Sequence, residues 1–191
     1  ALQLIGEGTI ANRVASLMPE VILGGGARYV IPQSIDGSRR NDDVEVVPLY
    51  EEAGYTVIET ATGLQEAVDN GAEMLAGFFH PGNMNVWLDR NIYTDNLGAL
   101  TDQPGLDQMT LAALEVLSQN ENGFYLQVEA SSVDKQLHPM DFERAMADMI
   151  ELDVTIRATM EWLEENGQLD NTLLVAVPDH AHSFDVFGTV D

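Results

Sequence analysis

The chain is 191 residues long and 45% hydrophobic, enough for one domain with a sizeable core. Against 8 basic residues it carries 32 acidic ones, and a formal net charge of −24 repels nucleic acid and anionic lipid, so neither is an expected partner. It contains no cysteine and no apolar run near the roughly eighteen residues of a membrane span, which leaves out disulfide frameworks, thiolate chemistry and a transmembrane helix.

Any metal must therefore be held by His, Asp and Glu, a donor set suited to zinc or magnesium. The basic residues are seven arginines and one lysine, Lys135. High acid content with so little lysine fits a salt-adapted protein or an acidic secreted one. Ala1 opens neither on an initiator methionine nor on a signal-peptide pattern, as expected of a processed or trimmed product.

In chain order, Ile10 to Met18 reads as a short helix. Val21 to Leu23 is an apolar run stopped by Gly24-Gly25-Gly26, a tight turn that lacks the lysine and helix start of a phosphate loop. Tyr55 to Ile58 and Ala76 to Phe79 read as strands, the second ended by His80-Pro81-Gly82, where His80 is a turn residue. Residues 81–104 are polar and irregular, too long for an ordinary connection. Asp107 to Gln119 shows helical spacing of Met109, Ala113, Val116 and Leu117. Phe124 to Val128 is a strand. Asp141 caps a long helix whose predicted apolar face is Phe142, Ala145, Met149, Leu152, Ile156 and Leu163, with Gly167 as its stop. Met140, Met146, Met149 and Met160 are expected in the core. Thr172 to Val177 is a Val- and Leu-rich strand.

Continuous apolar strands alternating with helices predict an α/β fold, a largely parallel sheet with helices on both faces. The strand Phe124 to Val128 runs into Glu129, and the strand Thr172 to Val177 runs through Pro178 into Asp179-His180-Ala181-His182. A right-handed crossover through the long helix would make these strands parallel, so both acids leave the carboxyl edge of the sheet, where open α/β sheets bind ligands. Asp134-Lys135-Gln136-Leu137-His138 lies in the loop leaving the first of them. Glu129, Asp134, His138, Asp179, His180 and His182 thus share one neighbourhood, and three of the four histidines and the sole lysine fall in two short segments. Carboxylates and imidazoles gathered this way repel one another or lose hydration unless a cation sits among them. Mixed Asp/His ligation fits zinc, and Lys135 can aim a positive charge at an anionic substrate. Ser131-Ser132 lack a Gly-x-Ser-x-Gly elbow and are not read as nucleophiles.

The run Val128-Glu129-Ala130-Ser131-Ser132-Val133-Asp134-Lys135-Gln136-Leu137-His138 resembles an alkaline phosphatase segment. Asp179-His180-Ala181-His182 is similar to that family's second metal segment. Val21 to Tyr29, with its three glycines, Ala76-Gly77-Phe78-Phe79, Leu88-Asp89-Arg90 and Pro104-Gly105-Leu106 recur in the family's order. The resemblance implies an alkaline-phosphatase-like partial domain over residues 1–191 and a site with two Zn2+ and one Mg2+. Asp134 and His138 would bind the first zinc, Asp179 and His180 the second, and Glu129 the magnesium. Lys135 would reach phosphate through water, and His182 would orient Asp134 from behind. The substrates implied are small phosphate monoesters, the location extracellular or periplasmic, and the parent protein a homodimer.

The resemblance also implies what is absent. The family's nucleophilic serine, its phosphate-clamping arginine and further ligands lie upstream of this stretch, and the last histidine of the first zinc lies downstream. Pro178 replaces the small or hydroxylic residue usual before the aspartate. No catalytic nucleophile is therefore expected in this chain, and the chain alone is expected to be inactive. Two alternatives are a non-catalytic metal-binding or interaction fragment, and another hydrolase of the superfamily such as a phosphodiesterase or sulfatase.

Overall fold

The computed structural model describes residues 13–14 and 16–182; of the helix expected over Ile10 to Met18, residues 10–12 and 15 lie outside the described residues, and 13–14 and 16–17 are helical. Three short strands form a parallel sheet: β1 (Val21–Gly24), β2 (Thr56–Ile58) and β3 (Leu75–Phe78), in the order β1-β3-β2. All three coincide with predicted runs. Val21 and Thr56 stand opposite Leu75, Ile22 and Val57 opposite Ala76, and Leu23 and Ile58 opposite Gly77. Because side chains alternate across a strand, this register sorts the residues onto two apolar faces.

One face carries Val21, Leu23, Ile58 and Leu75. It is covered by α2 (Ala61–Asp69) through Leu64 and Ala67, and by α4 (Leu106–Leu117) through Ala112 and Val116. The other carries Ile22, Val57 and Ala76 and packs against Val46 and Tyr50 of α1 (Val46–Glu52). The Thr60 side chain accepts a hydrogen bond from the Gly63 amide at 3.0 Å, capping α2. Helices on both faces of a parallel sheet are as predicted.

The glycine turn after β1 is set by close approach. A Cβ on Gly25 would lie 2.2 Å from the Gly82 carbonyl oxygen, a backbone atom that cannot swing aside, and Gly26 adopts φ 89°. The Gly26 amide donates to Gly82 O at 2.8 Å and Ala27 N to His80 O at 3.0 Å. The His80 ring receives the Gly82 amide at Nδ1. The two turns are thus laced together, and His80 is a turn residue as expected.

Four expectations fail. Residues 81–104 are not wholly irregular: they hold α3 (Trp87–Asn91) and a 3-10 turn at Thr94–Leu97. Asp134 lies not in a loop but on a short helix, α5 (Ser132–Leu137). The long helix, α6 (Phe142–Glu165), starts at its Asp141 cap and is followed by Gly167 at φ 65°, as predicted, but its buried face keeps only Ala145 and Leu163 of the predicted residues. Ala145, Asp148, Glu151, Thr155, Trp162 and Leu163 are buried, while Phe142 and Met149 are exposed. Met140, Met146 and Met160 are exposed too, Met146 by 55%, so they are not core residues. The reason is what lies over the helix. The 81–104 segment presents backbone N–H groups and Arg90, which require carboxylates and not methionines.

The largest correction concerns Phe124 to Val128 and Thr172 to Val177. Neither run forms a strand: among the described residues neither joins a ladder, and they do not pair with each other. Leu126 rests against Leu114, Trp162 and Leu163, while Tyr125 and Val175 are 83% and 65% exposed. A strand exists only when a neighbour takes up its amides and carbonyls, and β propensity does not supply that neighbour.

Candidate metal centre

The chemistry-bearing residues arrive by a different route from the predicted crossover. On α5, residues four apart share a face, so Asp134 and His138 meet: His138 Nε2 lies 3.4 Å from Asp134 Oδ2. Helix α5 packs on the start of α6, with the Asp141 amide donating to Gln136 O at 2.9 Å, which holds that pair in place. The segment after α6 brings the second group back. His182 Nε2 lies 3.6 Å and His180 Nε2 3.9 Å from Asp134 Oδ1, and His180 Nε2 lies 3.4 Å from Asp179 Oδ2. The rings of His138 and His182 meet edge to face, 4.8 Å between centroids.

Asp134 is the hub: His138 faces one of its oxygens, His180 and His182 the other, and Lys135 Nζ stands 3.6 Å from Oδ2. One donor atom each from Asp134, His138 and His182 can be chosen so that all lie within 4.8 Å of one another. The His180 Nδ1 is 3.0 Å from the Ala181 carbonyl; a proton held there leaves the Nε2 lone pair free for an ion. An oxygen and several imidazole nitrogens, partly open to solvent, suit zinc in donor type and number.

Of the predicted site residues, Asp134, His138, Asp179, His180 and His182 are brought together. Glu129 is not. It is exposed and lines, with Lys135, a cavity of about 600 Å³ bounded by Gly24–Gly26, Arg28, the 82–85 turn, α4 and residues 126–132. The spacing signal available but unused was Asp-x-x-x-His, which on a helix places both groups on one side.

The residues that sequence reading missed sit in the cavity floor. Arg90 Nη2 donates to both Glu151 oxygens at 2.5 and 2.6 Å, and the same carboxylate accepts the Leu106 amide at 3.1 Å. Beside it Asp148, 4% exposed, accepts the Trp87 amide through Oδ1, and its Oδ2 has no hydrogen-bond partner. Burial, aided by the neighbouring Glu151 charge, pushes the Asp148 carboxyl up to about 6 against the opposing Trp87 amide and Arg90.

A raised carboxyl pKa means that the fold favours the protonated form. That stability is complete below the ordinary value of 3.8 and is lost as pH rises through about 6. Asp148→Asn should keep the Trp87 contact and remove the charge. It is expected to stabilise the fold by about 1–2 kcal/mol at pH 8, discounted from the full shift for solvent in the cavity, and by less at pH 5. Urea unfolding of both proteins at the two pH values checks this; an equal or larger gain at pH 5 would refute it.

With this geometry established, comparison with known proteins is informative. The alkaline phosphatase family model matches residues 3–191. The chain belongs to the alkaline phosphatase family. It is 33% identical to alkaline phosphatase of Escherichia coli K12, the match covering 96% of this chain and 41% of that protein. It is 32% identical to alkaline phosphatase H of Pseudomonas aeruginosa over 96% of this chain and 40% of that one. The crystal structure of Thermus thermophilus alkaline phosphatase superposes with a TM-score of 0.72 at 27% identity, over 84% of this chain and 31% of the other. The fold is therefore alkaline-phosphatase-like, an α/β partial domain, and the chain spans about two fifths of the curated relatives it matches. Among the described residues no helix is long and apolar enough to cross a membrane.

Proposed function

We propose that this chain is one contiguous part, residues 1–191, of a longer enzyme that hydrolyses small phosphate monoesters at a zinc and magnesium site. The observation that carries the reading is the gathering of His138, His180 and His182 around the two oxygens of Asp134, in a chain of this family. Asp134 and His138 would hold the first zinc, Asp179 and His180 the second, and Glu129 a magnesium ion. When bound, these ions supply Lewis-acid charge for the ester oxygens and for the attacking hydroxyl.

The chain's own residues do the rest of what it contributes. Asp134 fixes the spacing between the two imidazole groups that face its opposite oxygens. His180 holds its Nδ1 against Ala181 O, which aims Nε2 into the centre. Lys135, half exposed beside Asp134, presents an ammonium toward the cavity to orient the phosphate dianion. Ser131 and Ser132 at the start of α5 lack a Gly-x-Ser-x-Gly elbow, so the nucleophilic serine is assigned outside this chain. The same reading makes the full-length protein homodimeric and extracellular or periplasmic; family membership supports both.

The isolated chain should hydrolyse an aryl phosphate no faster than zinc and magnesium in buffer, because nucleophile activation and phosphate clamping are both missing from it. The full-length protein should turn over rapidly under the same conditions, faster at alkaline pH. Phenolate release followed for both settles the point. Zinc-dependent turnover by the isolated chain would overturn the assignment of the nucleophile, and an inactive full-length protein loaded with metal would favour a non-catalytic metal-binding role.

A further inference from the structure

We infer that the packing of this chain is conditional on dissolved salt, because its four longest helices end on carboxylates that oppose their own dipoles. The inference concerns the fold and is independent of the metal centre. Placement carries it more than net charge does. Helix α1 ends on Glu51 and Glu52, α2 carries Glu66 and Asp69 at its end, α4 carries Glu115, and α6 carries Glu161, Glu164 and Glu165. All of these residues are exposed, and none of the four helices has a basic residue in its last turn. A helix C-terminus is a negative pole that favours cations, and anions belong at the opposite end. In α1 and α2 the first turn holds no acidic residue at all, so their charge distribution is the reverse of the one that stabilises a helix in dilute solution.

The few basic residues do not compensate. Five of the eight are held in ion pairs with other carboxylates. One of them, Arg157, is the last base on α6; it bonds Asp153 at 2.8 Å, toward the helix start, with Glu161 a lesser charge beside it. Glu161 stands three and four residues before Glu164 and Glu165, spacings that set like charges on adjacent turns of one face, where they repel. Such neighbours are about 5–6 Å apart, while the screening length is about 10 Å at 0.1 M salt and about 3 Å at 1 M. The repulsion therefore persists in dilute buffer and is removed near molar salt. Diffuse screening is sufficient, with no bound cation required.

The end of α6 is where this acts on the core. Trp162 and Leu163, buried beside the three carboxylates, close a cluster with Leu114 of α4, and Leu126 rests on it. The Trp162 indole also donates to Glu115 at 2.6 Å, tying the two acidic helix ends together. Fraying of the last turns of α6 in dilute buffer opens this joint, while the two clusters on the sheet, held by the strand ladders, stay closed. Of the two readings of the acid-rich, lysine-poor composition, this selects salt adaptation.

The experiment is backbone amide hydrogen exchange of the 191-residue chain at about 0.05 M and about 1 M sodium chloride, at one pH, with the β3 amides as internal reference. Chloride is used instead of sulfate so that exclusion of the salt from the protein surface contributes little. Over residues 159–165, exchange relative to β3 is expected to slow by about tenfold at the higher salt. The triple variant Glu161→Gln, Glu164→Gln, Glu165→Gln is expected to exchange slowly at both concentrations. The triple variant Asp36→Asn, Glu59→Gln, Asp95→Asn removes as much charge from exposed positions outside the last helical turns and is expected to keep the salt response. No salt response in the unsubstituted chain overturns the inference. So does a response that persists in the first variant or is lost equally in the second, since net charge and not the helix end would then be its source.

Discussion

Asp134→Ala in the full-length protein is expected to lower kcat/KM for an aryl phosphate by at least about 10³-fold. Removing one fixed charge-stabilising group from a hydrolytic site costs about 10²–10³-fold, and loss of an outer partner of a metal ligand costs about 10–100-fold in affinity or activity. Among the described residues, Asp134 is the one carboxylate in contact range of His138, His180, His182 and Lys135 together. Its loss takes that shared carboxylate from His138, His182 and Lys135 and leaves His180 with Asp179, so metal content should fall along with rate. Lys135→Ala should behave differently. The side chain is half exposed and, on the proposed reading, acts on substrate, so KM is expected to rise about tenfold while bound zinc stays constant. Steady-state kinetics with metal analysis on the same samples separate the two. Full metal content and near-normal kcat/KM in the Asp134 variant would remove it from the centre.

Glu151→Ala is expected to destabilise the fold by about 3–5 kcal/mol, the usual cost of deleting one partner of a buried pair. The Arg90 side chain is 12% and that of Glu151 8% exposed, and the carboxylate takes both hydrogen bonds from one guanidinium nitrogen. Without it the Leu106 amide at the start of α4 also loses its partner. Arg90 meanwhile stays tied to Asn85 O and Pro104 O, so its charge cannot leave for water without unpacking the 81–104 segment. Arg157→Ala is the control: its pair with Asp153 is exposed on both sides and should be worth about 0.5 kcal/mol or less. Urea midpoints for the two variants give the comparison directly. A Glu151 variant that loses no more than the Arg157 one would mean that the clamp does not hold the segment.

Much of the architecture was legible because it depends on local chemistry. Val21–Gly24, Thr56–Ile58 and Leu75–Phe78 are β-branched or apolar runs bounded by glycine or proline, and each finds its partner within the same stretch of chain. Asp141 and Gly167 bound α6 because a carboxylate can accept free amides at a helix start and glycine tolerates the left-handed turn after its end. The Asp134-to-His138 and Asp179-to-His182 segments pointed to a candidate metal-binding group through residue type and their resemblance to the family's segments, and the fold brings Asp134, His138 and His182 together.

The remainder depended on what packs against what. Phe124 to Val128 and Thr172 to Val177 carry every local mark of a strand, but local marks do not provide a neighbouring ladder, and none is present among the described residues. Helical periodicity on α6 pointed Met149 and Phe142 inward. The tertiary structure turned Asp148 and Glu151 inward instead, because a segment some sixty residues earlier in the chain lays Trp87 N–H and Arg90 on that face. His182 shows the same division at the site itself. Residue order put it two positions beyond His180, and only the folded chain brought its ring to 3.6 Å from Asp134, the carboxylate that His138 and His180 also face.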